Sequence, residues 1–167
     1  MRTKTKIVEK TYIGLDNGVS GSIGIISPTG TSFFHIPTKS TLDYTKDAKN
    51  VTRIDVVKLE QLLWIPGNYF LVMERPMVNP TRFTATKSAM RALEATLIVL
   101  EKLDIPYRFI DSKEWQKDML PKKLKGTEAL KKASKDVGTR LFPQFKDLFK
   151  KDADGLLIAE WARRMRL

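Results

Sequence analysis

Tyr69-Phe-Leu-Val-Met-Glu74 is an unbroken apolar run that ends in a glutamate. A strand with one wet face alternates apolar and polar residues, so a continuous run implies cover on both faces. Arg75-Pro76 ends it, because proline cannot continue a central strand. The rest of the chain suits a sheet sandwiched between helices. Tyr12–Asp16, Ser22–Ser27 and Thr31–Ile36 read as strands, with Pro28 and Gly30 in the turn between the last two, which gives a three-strand meander. A helix is expected over Ile54–Trp64, stopped by Pro66-Gly67, and a longer one over Ser88–Lys102. Pro106–Asp111 reads as a fifth strand. Thr127 is placed to cap a helix running to Arg140, ahead of Pro143, and the last helix starts near Asp152 with Leu156, Leu157, Ile158, Ala159 and Trp161 inward. A meander followed by strand–helix alternation predicts an α/β fold: a five-stranded mixed sheet with helices on both faces, as one domain over residues 1–167.

The formal net charge of +11 narrows the partners. A surface this basic attracts polyanions, and nucleic acid backbones are the commonest large ones. Lysines crowd Lys117–Lys135 and recur at Lys146, Lys150 and Lys151. The chain has no cysteine, which excludes a disulfide framework, a thiolate metal site and a cysteine nucleophile. His35 is the only histidine and reads as a strand residue, which excludes a histidine-rich zinc site. No run approaches the roughly 18 apolar residues of a membrane span. The basic start Met1-Arg-Thr-Lys-Thr-Lys6 meets Glu9 and Lys10 before any apolar stretch forms, unlike a signal peptide. The expected location is the cytoplasm, or whichever compartment holds the nucleic acid, and not outside the cell, so the Asn50-Val51-Thr52 sequon has no meaning.

Against this basic background the acids at strand ends stand out. Asp16 closes the first strand, Glu74 closes the buried fourth, and Asp152 and Asp154 open the last helix. An ionised carboxylate there is costly unless solvated, paired or bound to a cation. Gathered within about 4 Å at an effective dielectric near 20, each like-charge pair costs on the order of 4 kcal/mol. Oxygen-only ligands select magnesium or manganese, and two such ions can hydrolyse a phosphodiester. Each acid also has a plainer reading. Asp16 suits a turn before Gly18, and Asp152 suits a helix cap. Glu74 has none, since a turn needs no glutamate after Phe-Leu-Val-Met.

Four segments, in order, carry a family resemblance. Ile13-Gly-Leu-Asp-Asn-Gly-Val-Ser-Gly-Ser-Ile-Gly24, Val72-Met-Glu-Arg-Pro76, Asp111-Ser-Lys-Glu-Trp-Gln-Lys-Asp-Met-Leu120 and Lys151-Asp-Ala-Asp-Gly-Leu-Leu-Ile-Ala159 resemble the acidic and basic motifs of the RuvC-type Holliday junction resolvases. The resemblance implies a ribonuclease H-like fold and a magnesium-dependent endonuclease, manganese substituting, that resolves four-way DNA junctions as a homodimer with no small-molecule cofactor. Asp16, Glu74 and Asp154 would be the metal ligands. The family often carries an acid or histidine three residues before the last aspartate. Here Lys151 stands there and Asp152 lies two before, so Asp152 joins only from outside the helix. Lys122, Lys123, Lys125, Lys131 and Lys132 are the candidates for DNA contact near the scissile phosphate. Met77 and Phe83 stand where some relatives place a base-separating wedge, although core packing is the expectation for both. Trp115 reads as a packing anchor.

Other readings stay open. Within the fold, a flap, a fork or an RNA–DNA hybrid is the alternative substrate. A non-catalytic branched-DNA-binding module would not need three acids that repel phosphate. An actin-like ATPase needs a second such domain, for which the chain has no room. Finally, Leu97, Ile98, Val99 and Leu100 point several ways around one helix, so surplus apolar surface is covered either by a second copy of the chain or by a neighbouring helix such as the last one.

Overall fold

The computed structural model describes residues 10–167; the basic start, Met1 to Glu9, lies outside the described residues. Five strands form one sheet: β1 (Thr11–Asp16), β2 (Ser22–Ser27), β3 (Gly30–His35), β6 (Tyr69–Glu74) and β7 (Tyr107–Ile110), in the order β3-β2-β1-β6-β7. The meander β1–β2–β3 is antiparallel, while β1, β6 and β7 run parallel. No helix among the described residues is long and apolar enough to cross a membrane.

Strand alternation divides the core into two layers. On one face Ile13 and Leu15 of β1 and Leu71 and Met73 of β6 pack with Leu59 and Leu63 of α1 (Val56–Leu63) and Val99 and Leu100 of α2 (Phe83–Lys102). On the other, Tyr12, Phe70, Val72 and Ile26 meet α3 (Ser112–Met119), α4 (Thr127–Leu141) and α5 (Asp154–Arg164). The same alternation assigns Asp16 and Glu74, the terminal residues of β1 and β6, to the α5 face.

α5 lies unusually close to the sheet. A Cβ added at Gly14 or Gly24 would run into the α5 backbone at Gly155, Leu156 and Ala159, so both positions require glycine. The Ser22 hydroxyl accepts a hydrogen bond from the Gly155 amide at 3.0 Å, fixing the start of the helix over the first two strands. This contact brings Asp154 beside Asp16.

Several expectations change. Residues read as a loop and a helix start form a second, two-stranded sheet of β4 (Thr38–Leu42) and β5 (Asn50–Ile54). Ile54 therefore ends a strand, and α1 begins two residues later behind Asp55, whose carboxylate accepts from the Lys58 amide. α2 starts at Phe83, five residues earlier than expected; its first turn is exposed and lacks a capping side chain, so no start signal marks it. α3 was not anticipated. Gly126, at φ +85°, occupies the cap of α4, and Thr127 is already helical and caps nothing. α5 begins at Asp154, leaving Asp152 outside the helix. The helix beside α2 is α1, joined by a 2.8 Å Lys102–Glu60 ion pair, and not the last helix, which lies on the opposite face.

Candidate metal centre

Asp16, Asp152 and Asp154 each offer a carboxylate oxygen, and these oxygens all lie within 4.8 Å of one another. Three elements converge to do this: the end of β1, the residues before α5, and its first turn. Asp152 reaches the group because it stands outside the helix, where the rule that residues two apart face different ways does not apply. Its Oδ1 also accepts the Asp154 amide at 3.3 Å.

Glu74 stands next to this trio at the end of the neighbouring parallel strand, and it is not part of the three-oxygen cluster. Its Oε2 accepts a 2.6 Å hydrogen bond from the indole N–H of Trp115, a side chain buried in α3. Asp154 is held in the same manner. Ser134, buried in α4, donates its hydroxyl to Asp154 Oδ1 at 2.5 Å and accepts the Ala153 amide at 3.0 Å. Neither holding residue was identified from the sequence. Trp115 is the packing anchor its sequence context implies, and its indole N–H adds the bond to Glu74. Ser134 had one available signal: a hydroxyl on the apolar face of a lysine-rich helix, between Leu130 and Val137.

The electrostatics fit a cation site. Burial, then repulsion from Glu74 and Asp152, pushes the Asp16 carboxyl up to about 7, against opposing pulls from Lys151 and Lys131. Burial likewise raises Glu74 to about 7, despite the Trp115 hydrogen bond. Asp154 is pushed well above the ordinary carboxylate range by burial, Asp152 and Asp16. Several half-buried acids that oppose one another's ionisation, with oxygen as the only donor, match the preference of a hard divalent ion.

The lysine candidates separate. The charge of Lys131, on α4, pulls down the carboxyls of both Asp16 and Asp154. Lys132, one residue on, pairs at 2.7 Å with Asp136 on the helix surface. Lys122, Lys123 and Lys125 occupy an exposed loop between α3 and α4. Lys151, outside the set of candidate contacts, also acts on Asp16 by its charge. It lines a cleft with Ser20, Ser22, His35 and Asp152. Met77 and Phe83 are 80% and 72% exposed, so the core packing expected for them does not occur.

No family model matches the sequence, and no curated protein does. Among solved structures, the chain is similar to Thermus thermophilus RuvC in complex with a Holliday junction substrate, with a TM-score of 0.55 and 12% sequence identity over 93% of this chain and 96% of that one. A second Thermus thermophilus RuvC structure gives a TM-score of 0.51 and 14% identity over the same shares of the two chains. The sheet order, the mixed strand directions and the helices on both faces are thus those of a known architecture, and the chain has the ribonuclease H-like fold of the RuvC resolvases.

Proposed function

We propose that residues 1–167 form one nuclease domain that hydrolyses phosphodiester bonds at four-way DNA junctions, as a homodimer that uses magnesium, or manganese in its place. The observation that carries this reading is the cluster of Asp16, Asp152 and Asp154 oxygens within 4.8 Å, at the strand ends of a RuvC-like fold. When bound, two such ions supply an activated water and neutralise charge on the scissile phosphate. The three aspartates hold them, Ser134 fixing the orientation of Asp154. Glu74, aimed by Trp115, completes the set from β6. Lys131, whose charge acts on Asp16 and Asp154, offers a cation to the phosphate oxygens. The exposed Lys122, Lys123, Lys125 and Lys132 contact the backbone further out.

Two features favour a branched substrate and a paired enzyme. The similar RuvC structure was solved with a Holliday junction. Ile98 and Met90 on α2 are 54% and 42% exposed, apolar surface that a second copy would bury. A cleavage panel of four-way junction, flap, fork, RNA–DNA hybrid and plain duplex, each with magnesium, tests the assignment. The junction should be cut fastest, by symmetric nicks. Preferential cutting of the hybrid or flap would move the function to another nuclease of the same fold.

A further inference from the structure

β4 and β5 form a ribbon that stands apart from the main sheet. It leaves β3 at the end of the sheet where the acids lie: Ile36 and Thr38, at its root, line the same cleft as Asp152. α2 supports it. The crossover between parallel β6 and β7 sends α2 back antiparallel to them. Thr96 of α2 donates to Asn17 Oδ1 at 2.8 Å, level with the end of β1. The helix preceding Thr96, roughly 20 Å at 1.5 Å per residue, therefore overhangs the strand ends. Between this overhang and the ribbon runs a groove lined by Leu42, Asp43, Tyr44, Val51, Arg53 and Arg91.

The turn of the ribbon balances Lys49 with Asp47 at 4.0 Å, but the charges along its strands have no such explanation. Lys39 and Arg53 are directly opposite in the ladder. Like charges so placed destabilise a ribbon, and among the described residues neither has an ion-pair partner. Lys46, in the connecting turn, is also exposed and unpaired there, and Tyr44 is 92% exposed. A ribbon that only needed solubility would carry mixed signs across its rungs. A reader of single strands would need a row of aromatic platforms, and Tyr44 is the ribbon's one aromatic residue.

We propose that the β4–β5 ribbon is a cationic arm that grips the phosphate backbone of a DNA duplex flanking the cut, with Lys39 and Arg53 as its principal contacts. This deepens the nuclease reading and rests on it for the direction of the duplex. At about 3.3 Å per residue the strands extend about 17 Å from the cleft, which spans about five base pairs at 3.4 Å each. Lys39 and Arg53 sit one rung from the root and so touch phosphates about one to two base pairs beyond the cleft, whereas Lys46, in the turn at the tip, touches them about five base pairs out.

Binding of a fluorescent four-way junction by the full chain, in EDTA and across a salt series, tests this without requiring cleavage. Each phosphate contact contributes about −0.9 to the log–log salt slope. The double variant Lys39→Ala/Arg53→Ala should make the slope shallower by about 1.8, and Lys46→Ala, which leaves the ladder intact, should shift it in the same direction. Lys102→Ala, at the far end of α2, should leave it unchanged. Phosphate ethylation about one to two base pairs from the cut should impair binding by the parent and not by the double variant, and ethylation about five base pairs out should impair the parent and not Lys46→Ala. An unchanged slope in the double variant, or an equal change in Lys102→Ala, overturns the proposal. A parent that binds this way but never cleaves would refute the nuclease reading and leave the arm standing.

Discussion

Removing divalent ions should make the protein's stability fall as pH rises, and the size of the fall follows from the acid cluster. Asp16 is shifted from 3.8 to about 7 in the folded chain, so the native state binds its proton more tightly than the unfolded chain does. A raised folded value contributes stability that is fully present below pH about 4 and is lost as pH climbs through about 7. At about 1.4 kcal/mol per pH unit this one group accounts for about 4 kcal/mol, before discounting for its partial contact with solvent. Glu74 and Asp154 act in the same direction, although repulsion shared among neighbours cannot be counted once for each. In a domain of this size 1 kcal/mol moves Tm by about 2–4 °C. In EDTA, Tm should therefore drop by about 10 °C between pH 5 and pH 8. Magnesium should restore most of the loss at pH 8 and do little at pH 5, where protons already occupy the carboxylates. Differential scanning fluorimetry over pH and magnesium measures both. A Tm in EDTA that is flat or rises over this range, or magnesium that stabilises equally at both pH values, would refute the picture of a self-repelling cation site.

Three further outcomes follow from particular contacts. Trp115→Phe removes the N–H that holds Glu74 and should lower cleavage by about 10–100-fold, with magnesium affinity weakened as read by titration of the rate; an unchanged rate would reduce Trp115 to packing. Gly14→Ala drives a Cβ into the α5 backbone and should cost about 1–3 kcal/mol in denaturant melts, with loss of activity as Asp154 moves, whereas full activity would mean that the α5 contact does not position Asp154. Sedimentation at micromolar concentration should report about twice the 19.1 kDa chain mass, and Ile98→Lys should return it to one; a parent that sediments as a monomer on junction DNA would exclude the paired enzyme.

The parts of the fold legible in the sequence are those whose burial has a period. Tyr69–Glu74 is apolar on both faces and lies centrally between β1 and β7, as its pattern implied. The ribbon of β4 and β5 escaped because most of its residues are exposed on either side and nothing alternates. α3 is short, and its two buried residues, Trp115 and Met119, are too few to establish a helical period. The acids were legible as residue types at strand ends. Their convergence was not, because it depends on the clearance that Gly14 and Gly24 allow α5. The place of Asp152 turned on where α5 begins, and a boundary of two residues decides whether its carboxylate joins Asp154 or faces away. The hydrogen bonds from Trp115 and Ser134 link residues far apart in the chain, and no local pattern announces such partners.

The most direct test of the central claim is single-turnover cleavage of a labelled four-way junction by the parent chain and by Asp16→Asn, with magnesium and with EDTA. The parent with magnesium should cut symmetrically across the branch. EDTA should abolish cutting, and Asp16→Asn should be inactive in both conditions while binding the junction at least as tightly as the parent, since negative charge has left a phosphate site. Cleavage by Asp16→Asn at the parent rate, or cleavage by the parent in EDTA, would contradict a metal-dependent nuclease centred on these acids.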